Sequence, residues 1–453
     1  MSSLYYALGV VIFFSAILLS IGLHELGHMI PAKAFGGKVT QYFIGFGPTV
    51  WSRRRGETEY GLKAIPLGGY VKIVGMLPPG AEQLGKVSYD EQGNQVTKIR
   101  KSNTGMFTQL ISDARAAEWE LIGPEDEPRL FYKMPWWKKV IVMAGGPSVN
   151  IAIAFFLFWG VFAFYGNPQD RVIDAGTPTI SEVSDCVIPY AEQRVTCEPG
   201  DPPSPAALAG LEPGDLITSF NGTAISSYDQ LSDLIRANDD GEAVIGYSRD
   251  GTHHETTVRT LIQSRPVSAD SDKLVDVGFL GIQPTTHLVT GGPLYTLVEM
   301  GYVAEQTVEA VIRLPQRVWG VGMAIIGLQD RDPESPVSIV GGSRLAGETV
   351  SLPADEFSTD KKVVYLLLLI GGFNFFIGAF NFIPLLPLDG GHIASALWEA
   401  LRRGFARLLG RPDPGFVDAA RLLPVAYVMA SFMLVMSLVL IIADFVVPLH
   451  LQT

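Results

Sequence analysis

Residues 1–28 read MSSLYYALGVVIFFSAILLSIGLHELGH. No charged side chain occurs from Met1 to Leu23, and the run passes straight into His24-Glu25-Leu26-Gly27-His28. A helix rises 1.5 Å per residue, so about 20 residues cross a bilayer core and this run is long enough to span one. A helix also brings residues i and i+4 to one face, so His24 and His28 can hold one metal ion together. Glu25 stands beside that ion without needing to ligate it, which is the place of the general base in zinc hydrolases. An ionisable group at the end of so long an apolar run is expensive at membrane depth and marks function. The run has no basic N-terminal region and no evident small-residue cleavage site, so it reads as a retained span and not a signal peptide.

The pattern recurs three times. Val140–Tyr165 and Val363–Leu388 are charge-free runs of 26 residues each, and Leu422–Ala443 adds 22 more. Their length argues for membrane spans over buried core helices. Composition agrees. Of 453 residues, 47% are hydrophobic and 18% charged, where about a quarter charged is usual for soluble domains. Mean hydropathy is +0.25. Two cysteines exclude a disulfide scaffold, and the apolar content excludes general disorder. A pI near 5.1 speaks against nucleic acid as a partner.

Charge orients the spans. Residues 33–139 hold 16 Lys+Arg against 11 Asp+Glu, and residues 390–421 hold five against three. Residues 166–362 hold 13 against 29, a net of −16. Positive segments stay in the cytoplasm, which puts 166–362 and both termini outside. Arg53-Arg54-Arg55 and Trp136-Trp137-Lys138-Lys139 mark the cytoplasmic side most clearly, because the rule weakens for long loops.

Two histidines do not complete a catalytic zinc site, which takes three protein ligands and an open position. Among the other spans, one ionisable candidate stands out. Asn381-Phe-Ile-Pro384-Leu-Leu-Pro387-Leu-Asp389-Gly390-Gly391-His392 closes the third run, and Asp389 is its first charge. The Pro and Gly residues break the helix, which membrane depth tolerates only beside a protein-enclosed or watery cavity. From this stretch alone, Asp389 is either the third ligand or a plain N-cap for the helix that follows.

HELGH in the first span together with NFIPLLPLDGGH in the third resembles the site-2 proteases, zinc metalloproteases that cut transmembrane helices within the membrane. Further motifs carry the resemblance. Gly45-Phe46-Gly47-Pro48 and Ala64-Ile65-Pro66-Leu67-Gly68-Gly69-Tyr70-Val71-Lys72 look like that family's membrane re-entrant β-region. Ala144-Gly145-Gly146-Pro147-Ser148-Val149-Asn150 looks like its second-span entrance. With one extracytoplasmic PDZ domain, the pattern is most similar to the actinobacterial regulatory branch. The resemblance implies Zn2+ held by His24, His28 and Asp389, with Glu25 as catalytic base. It also implies substrate contacts at Asn374, Asn381, Gly45, Gly47, Gly68 and Gly69. Asn374 and Asn381 are seven residues apart and share a helix face, so interhelical hydrogen bonding is the competing reading. The implied substrate is a single-span membrane protein such as an anti-sigma factor, cut in regulated intramembrane proteolysis. A helical substrate hides its carbonyls and must unwind. A β-edge between Lys38 and Gly75 could then pair with the unwound strand.

The external segment contains Ser204–Gly222, which resembles a bacterial PDZ signature, followed by an expected helix at Tyr228–Ala237 and strands at Glu242–Ser248 and His254–Arg259. Its peptide-binding edge is expected near Thr179–Val183, facing that helix. A peptide C-terminus is one partner for this groove; a spacer or steric filter is the other reading. Cys186 and Cys197 fall in a Pro-rich insertion, Ser184–Pro203, on the outside, where a disulfide can form. Leu294–Gln329 reads as an amphipathic helix pair kinked at Pro315, lying at the interface and gating substrate entry. Residues 77–130 carry no assignable chemistry.

The expected fold is a multi-pass α-helical membrane protein of the plasma membrane, with four transmembrane helices, a membrane re-entrant β-region and an extracytoplasmic α+β PDZ domain. Its parts are a first transmembrane helix with the metal motif at 1–32, the re-entrant β-region at 38–75, a cytoplasmic insertion at 76–135 and a second transmembrane helix at 139–166. The PDZ domain follows at 170–285, then amphipathic interfacial helices at 293–350 and a third transmembrane helix at 363–388. A cytoplasmic connection at 389–421 and a fourth transmembrane helix at 422–447 complete it. The expected function is zinc-dependent intramembrane endopeptidase. A catalytically silent membrane PDZ scaffold with a retained metal site is the alternative, and intact Glu25 and Asp389 weigh against it. A metal transporter would need more ionisable residues along the spans than this chain has.

Overall fold

The computed structural model describes residues 2–78, 88–89, 95–96, 111, 114–115, 122–173, 178–190, 197–266, 274–354 and 357–450. Most of the expected cytoplasmic insertion therefore lies outside the described residues. The chain forms two compact units, one from Met1–Val161 with Gly292–Thr453 and one from Phe162–Gly291.

In the first unit, helix α1 (Ser2–Ala34) carries the whole first apolar run. Gly36 ends it in the left-handed region at φ 83°, the usual device for stopping a helix. Strands β1 (Val39–Arg55) and β2 (Thr58–Ile73) follow. Their register is doubled: Gln41, Tyr42, Phe43 and Ile44 each face one residue in Glu59–Leu62 and another in Gly69–Lys72. The first half of β1 thus lies between two segments of β2. The segment Gly69–Ile73 has no further strand beside it among the described residues, so it is a sheet edge. Lys38 donates to Asp126 at 2.7 Å, and Arg129 grips Glu57 through both terminal nitrogens, at 2.7 and 2.8 Å. These pairs hold residues 124–130 against the sheet.

Helix α2 (Trp136–Phe164) enters behind its Trp-Trp-Lys-Lys cluster. It crosses α1 backbone to backbone at Gly27 and Gly145, where a Cβ on either residue would overlap the other's carbonyl oxygen. Small residues allow this approach in a setting where close packing, more than water expulsion, joins helices.

The second unit, an α+β body, is built from β3 (Asn167–Ile173), β4 (Ile180–Val183), β5 (Leu216–Phe220), β6 (Thr223–Ala224), helix α3 (Tyr228–Ala237), β7 (Glu242–Arg249), β8 (Thr252–Arg259), β9 (Leu261–Pro266), β10 (Leu274–Phe279), β11 (Ile282–Pro284) and β12 (Thr286–Val289). The four-stranded sheet runs β8-β7-β5-β6, and β9-β10, β4-β11 and β3-β12 form pairs. Asp250 and Gly251 turn β7 into β8 with φ of 52° and 78°, the doubly positive pattern of a tight hairpin. Leu231 and Ile235 of α3 pack on Ile217, Ile245 and Leu280 in the unit's core. Cys186 and Cys197 are joined by a disulfide.

One expectation for this unit is corrected. The strand beside α3 is not Thr179–Val183, which pairs with Ile282–Pro284. Residues Val277–Ile282 line the groove with Tyr228, Ser232 and Ile235 instead. The groove is narrow. Tyr228 donates its hydroxyl to the Ile282 carbonyl at 3.3 Å, and Gly278 has no room for a Cβ against the Ile235 carbonyl. Burial pushes the Tyr228 phenol up to about 12, so it stays a donor.

Back in the first unit, α4 (Pro293–Ile325) is one continuous helix, not a pair broken at Pro315. Pro315 faces outward, so the carbonyl it leaves unpaired is not buried. Helix α5 (Ile339–Ser351) lays Gly342 against Phe13 and Gly347 against Tyr6 of α1. Its N-terminus is capped by Asp444, which accepts from the Ser338 and Gly341 N–H groups at 2.8 and 3.1 Å and pairs with Arg331 at 2.8 Å. A charge within the last apolar helix is thereby fully paired, as membrane depth requires.

The third run also differs in extent. Helix α6 spans Thr359–Asn381, starting behind Ser358 and stopping seven residues before the expected end at 388. Pro384 and Pro387 cannot continue a helix, and residues 382–388 form turns. Helix α7 (Asp389–Leu408) then begins at Asp389 itself, with Leu388 as its N-cap, so Asp389 is not the cap. Helix α8 (Leu423–Val446) closes the unit. Among the described residues, four helices, α1, α2, α6 and α8, are long and apolar enough to cross a bilayer.

Candidate metal centre and active site

His24 and His28 stand one turn apart on α1, and Asp389 opens α7 in front of them. The two Nε2 atoms are 3.2 Å apart, and Asp389 Oδ2 lies 3.3 Å from each. Zinc bonds of about 2.0–2.1 Å at the tetrahedral angle separate neighbouring donors by about 3.3 Å. The three atoms therefore outline one face of a zinc tetrahedron, with the fourth position left for water or substrate.

The rings are oriented for this. His28 Nδ1 lies 2.8 Å from the Val142 carbonyl, and His24 Nδ1 lies 2.6 Å from Asn150 Oδ1. Both acceptors are oxygens without a hydrogen, so each Nδ1 carries the shared proton and each Nε2 offers its lone pair. The floor is glycine. A Cβ on Gly146 would stand 2.8 Å from His24 Nε2 and closer still to His28 Nε2. A side chain at 146 would intrude on both donor nitrogens.

A cavity of about 430 Å3 opens beside the donors. Glu25, Gly68, Gly69, Tyr70, Val71 and Asn381 line it, as do Asn150 and His392. Glu25 accepts a hydrogen bond from the Val71 backbone. Gly69 lets it approach, since a Cβ there would come within 2.9 Å of Glu25 Cγ. The sheet edge Gly69–Ile73 thus runs past the carboxylate next to the metal donors.

Three expected substrate contacts lie elsewhere. Gly45 and Gly47 are not on the cavity. They bend β1 with φ of 94° and 82°, and a Cβ at 45 would press on the Ile65 carbonyl. Asn374 is fully buried and also absent from the cavity wall. It accepts from Asn150 Nδ2 at 3.1 Å and donates to the Ile370 carbonyl at 2.9 Å. Asn381 does reach the cavity, while its amide donates to the Ile377 carbonyl at 3.1 Å.

Sequence reasoning named Asn150 only as the end of a motif and gave it no role at the site. Scanning the spans for ionisable groups passes over an amide. Scanning for any polar side chain in a charge-free run would have found it, because a polar group at that depth needs a partner.

Two histidines and a carboxylate facing an open position, with a glutamate alongside and apolar spans around them, define a membrane-embedded metallohydrolase. The chain belongs to peptidase family M50, the site-2 proteases, whose family model matches residues 12–408. It is 34% identical to the zinc metalloprotease Rip1 of Mycolicibacterium smegmatis over 98% of this chain and 99% of that one. It is 32% identical to zinc metalloprotease Rip1 of Mycobacterium tuberculosis strain H37Rv, over 98% of each. Metalloprotease MmpA of Caulobacter vibrioides is 24% identical over 84% of each chain. The protein is a membrane metalloendopeptidase with zinc as its cofactor.

Proposed function

We propose that the protein cuts single-span transmembrane proteins within the bilayer, as the second cut of regulated intramembrane proteolysis. Anti-sigma factors already trimmed outside are the substrate class. The carrying observation is the 3.2–3.3 Å triangle of His24, His28 and Asp389 at the ends of apolar runs, beside Glu25 and an open sheet edge. In this reading those three residues hold zinc. Zinc supplies the Lewis acidity that activates a water and polarises the scissile carbonyl. Glu25 takes the water's proton and passes it to the leaving amide nitrogen. The Gly69–Ile73 edge receives the unwound substrate as an added strand and holds its carbonyl towards Glu25. Asn381, on the cavity wall, binds substrate backbone with the part of its amide that faces the cavity.

Charge supports the sidedness. Residues 166–362 carry −16 and belong outside, with both termini, while 33–139 and 390–421 face the cytoplasm. The α+β unit is then an extracytoplasmic PDZ domain. Its narrow groove, bridged by Tyr228 to Ile282, favours the filter reading over a peptide-gripping one.

The test is reconstitution of the purified protein in vesicles with a single-span substrate, comparing wild type with Glu25→Gln. Cleavage by the wild type and loss of at least a thousandfold in the variant, with zinc retained, supports the reading. Equal cleavage by both overturns it.

A further inference from the structure

Asn150 on α2 and Asn374 on α6 link two spans to the metal site, and the polarity of that link can be traced atom by atom. It begins at the Ile370 carbonyl, which can only accept. Asn374 Nδ2 donates to it at 2.9 Å, so Asn374 Oδ1 faces Asn150. Asn150 Nδ2 donates to that oxygen at 3.1 Å, so Asn150 Oδ1 faces His24. Nδ1 of His24, 2.6 Å away, must then be the protonated nitrogen, and Nε2 carries the lone pair. Asn150 and Asn374 are both fully buried. Neither amide can turn over without burying an unmatched donor.

From this geometry we infer that Asn150 and Asn374 form a positioning relay that fixes the tautomer and ring orientation of His24, so that Nε2 is committed to zinc. Asn374 acts through Asn150 and does not touch substrate. A neutral imidazole with no fixed partner divides its proton between the two nitrogens, and the form protonated at Nε2 cannot ligate. His28 needs no such relay, because the Val142 carbonyl imposes its tautomer directly. The inference rests on the zinc site proposed above.

The experiment measures zinc affinity by chelator competition on the full chain in detergent, and cobalt absorption as a report of coordination geometry. Asn150→Leu is expected to weaken zinc binding about 10–100-fold and to alter the cobalt spectrum, as loss of an outer partner usually does. Asn374→Leu is expected to cost less, because Asn150 remains but its amide is free to turn. Asn150→Asp is the rescue, because a carboxylate accepts from Nδ1 in either orientation. Asn150→Asp combined with Asn374→Leu should therefore bind zinc more tightly than Asn374→Leu alone. A merely structural role would lower the unfolding midpoint of the metal-free protein and leave zinc affinity unmoved. Wild-type affinity in folded Asn150→Leu, or no gain from Asn150→Asp in the Asn374→Leu background, overturns the relay. The second comparison holds even where Asn150→Leu fails to fold. Asp389→Ala is the control: if it too keeps full affinity, the zinc-site reading fails and not the relay alone.

Discussion

Gly146 of α2 lies directly beneath the Nε2 atom of His28, with no room for even one methyl group between them. The candidate metal site is therefore shaped as much by an absent side chain on α2 as by the candidate donors on α1 and α7. Gly146→Ala should abolish stoichiometric zinc binding, since the new methyl occupies the space between both imidazoles. Elemental analysis of the purified variant checks this. Full zinc content would show that α2 can shift away, which the Gly27–Gly145 backbone contact one residue earlier opposes.

Gly69 separates binding from catalysis. Its Cβ would press on Glu25 Cγ and on the Phe43 carbonyl, and none of the three donor residues is among the nearest atoms it would meet. Gly69→Ala should keep zinc while lowering cleavage about a hundredfold, the usual cost of misplacing a catalytic group by an ångström. A variant that loses zinc and activity together would place the strain elsewhere.

Helix α7, which opens with Asp389, is tied to α2 further along its length. Lys139 on α2 and Glu399 on α7 form an ion pair at 2.8 Å, with side chains 7% and 2% exposed. The pair contributes little when intact, but removing Lys139 leaves the buried Glu399 carboxylate with Arg403, at 3.2 Å, as its remaining cation. Lys139→Met should destabilise the protein by about 3 kcal/mol and weaken zinc binding through the α7 that carries Asp389. Lys139→Met with Glu399→Met should recover most of the stability. Unfolding midpoints of the single and double variants decide it, and equal midpoints would count against the anchor.

The α+β unit offers a pH test. Burial pushes the Asp215 carboxyl up, but the Arg249 guanidinium at 2.7 and 2.8 Å and the Glu212 N–H outweigh it, and the net shift is downward. A carboxyl lowered on folding stabilises above its unfolded value near 3.9, and that stability is lost as pH falls towards the lower folded value. Asp215→Asn should melt roughly 5 °C lower than wild type at pH 7. The two should converge as pH drops below about 4. A constant gap down to pH 2 would mean that packing, not charge, holds Asp215.

Much of the site was legible because its chemistry is local. HELGH needs only helical periodicity to put two imidazoles on one face, and 23 uncharged residues before it disclose the membrane. Asp389 was visible as the first charge after a long apolar run, though only the family resemblance chose ligand over cap. Other parts were not local. Asn374 and Asn381 share a helix face by count, yet one is sealed against α2 and the other reaches the cavity. That difference depends on how α6 meets α2, which spacing along α6 does not contain. The same holds for the groove of the second unit. The residues of α3 were readable, but the strand beside it comes from Val277–Ile282, not from the nearer candidate at Thr179–Val183.

Periodicity, length and charge are properties of a segment. They determined the four spans, the two histidines, the glutamate beside them and the acidic balance of 166–362. Polarity of a hydrogen-bond chain, room for a methyl group and the neighbour of a strand edge are properties of pairs of segments. Only the tertiary structure decided that Asn150 meets His24, that Gly146 packs beneath both imidazoles and that the Gly69–Ile73 edge runs past Glu25. Each needs two or three distant elements to meet within a few ångströms, and no stretch of chain records that meeting by itself.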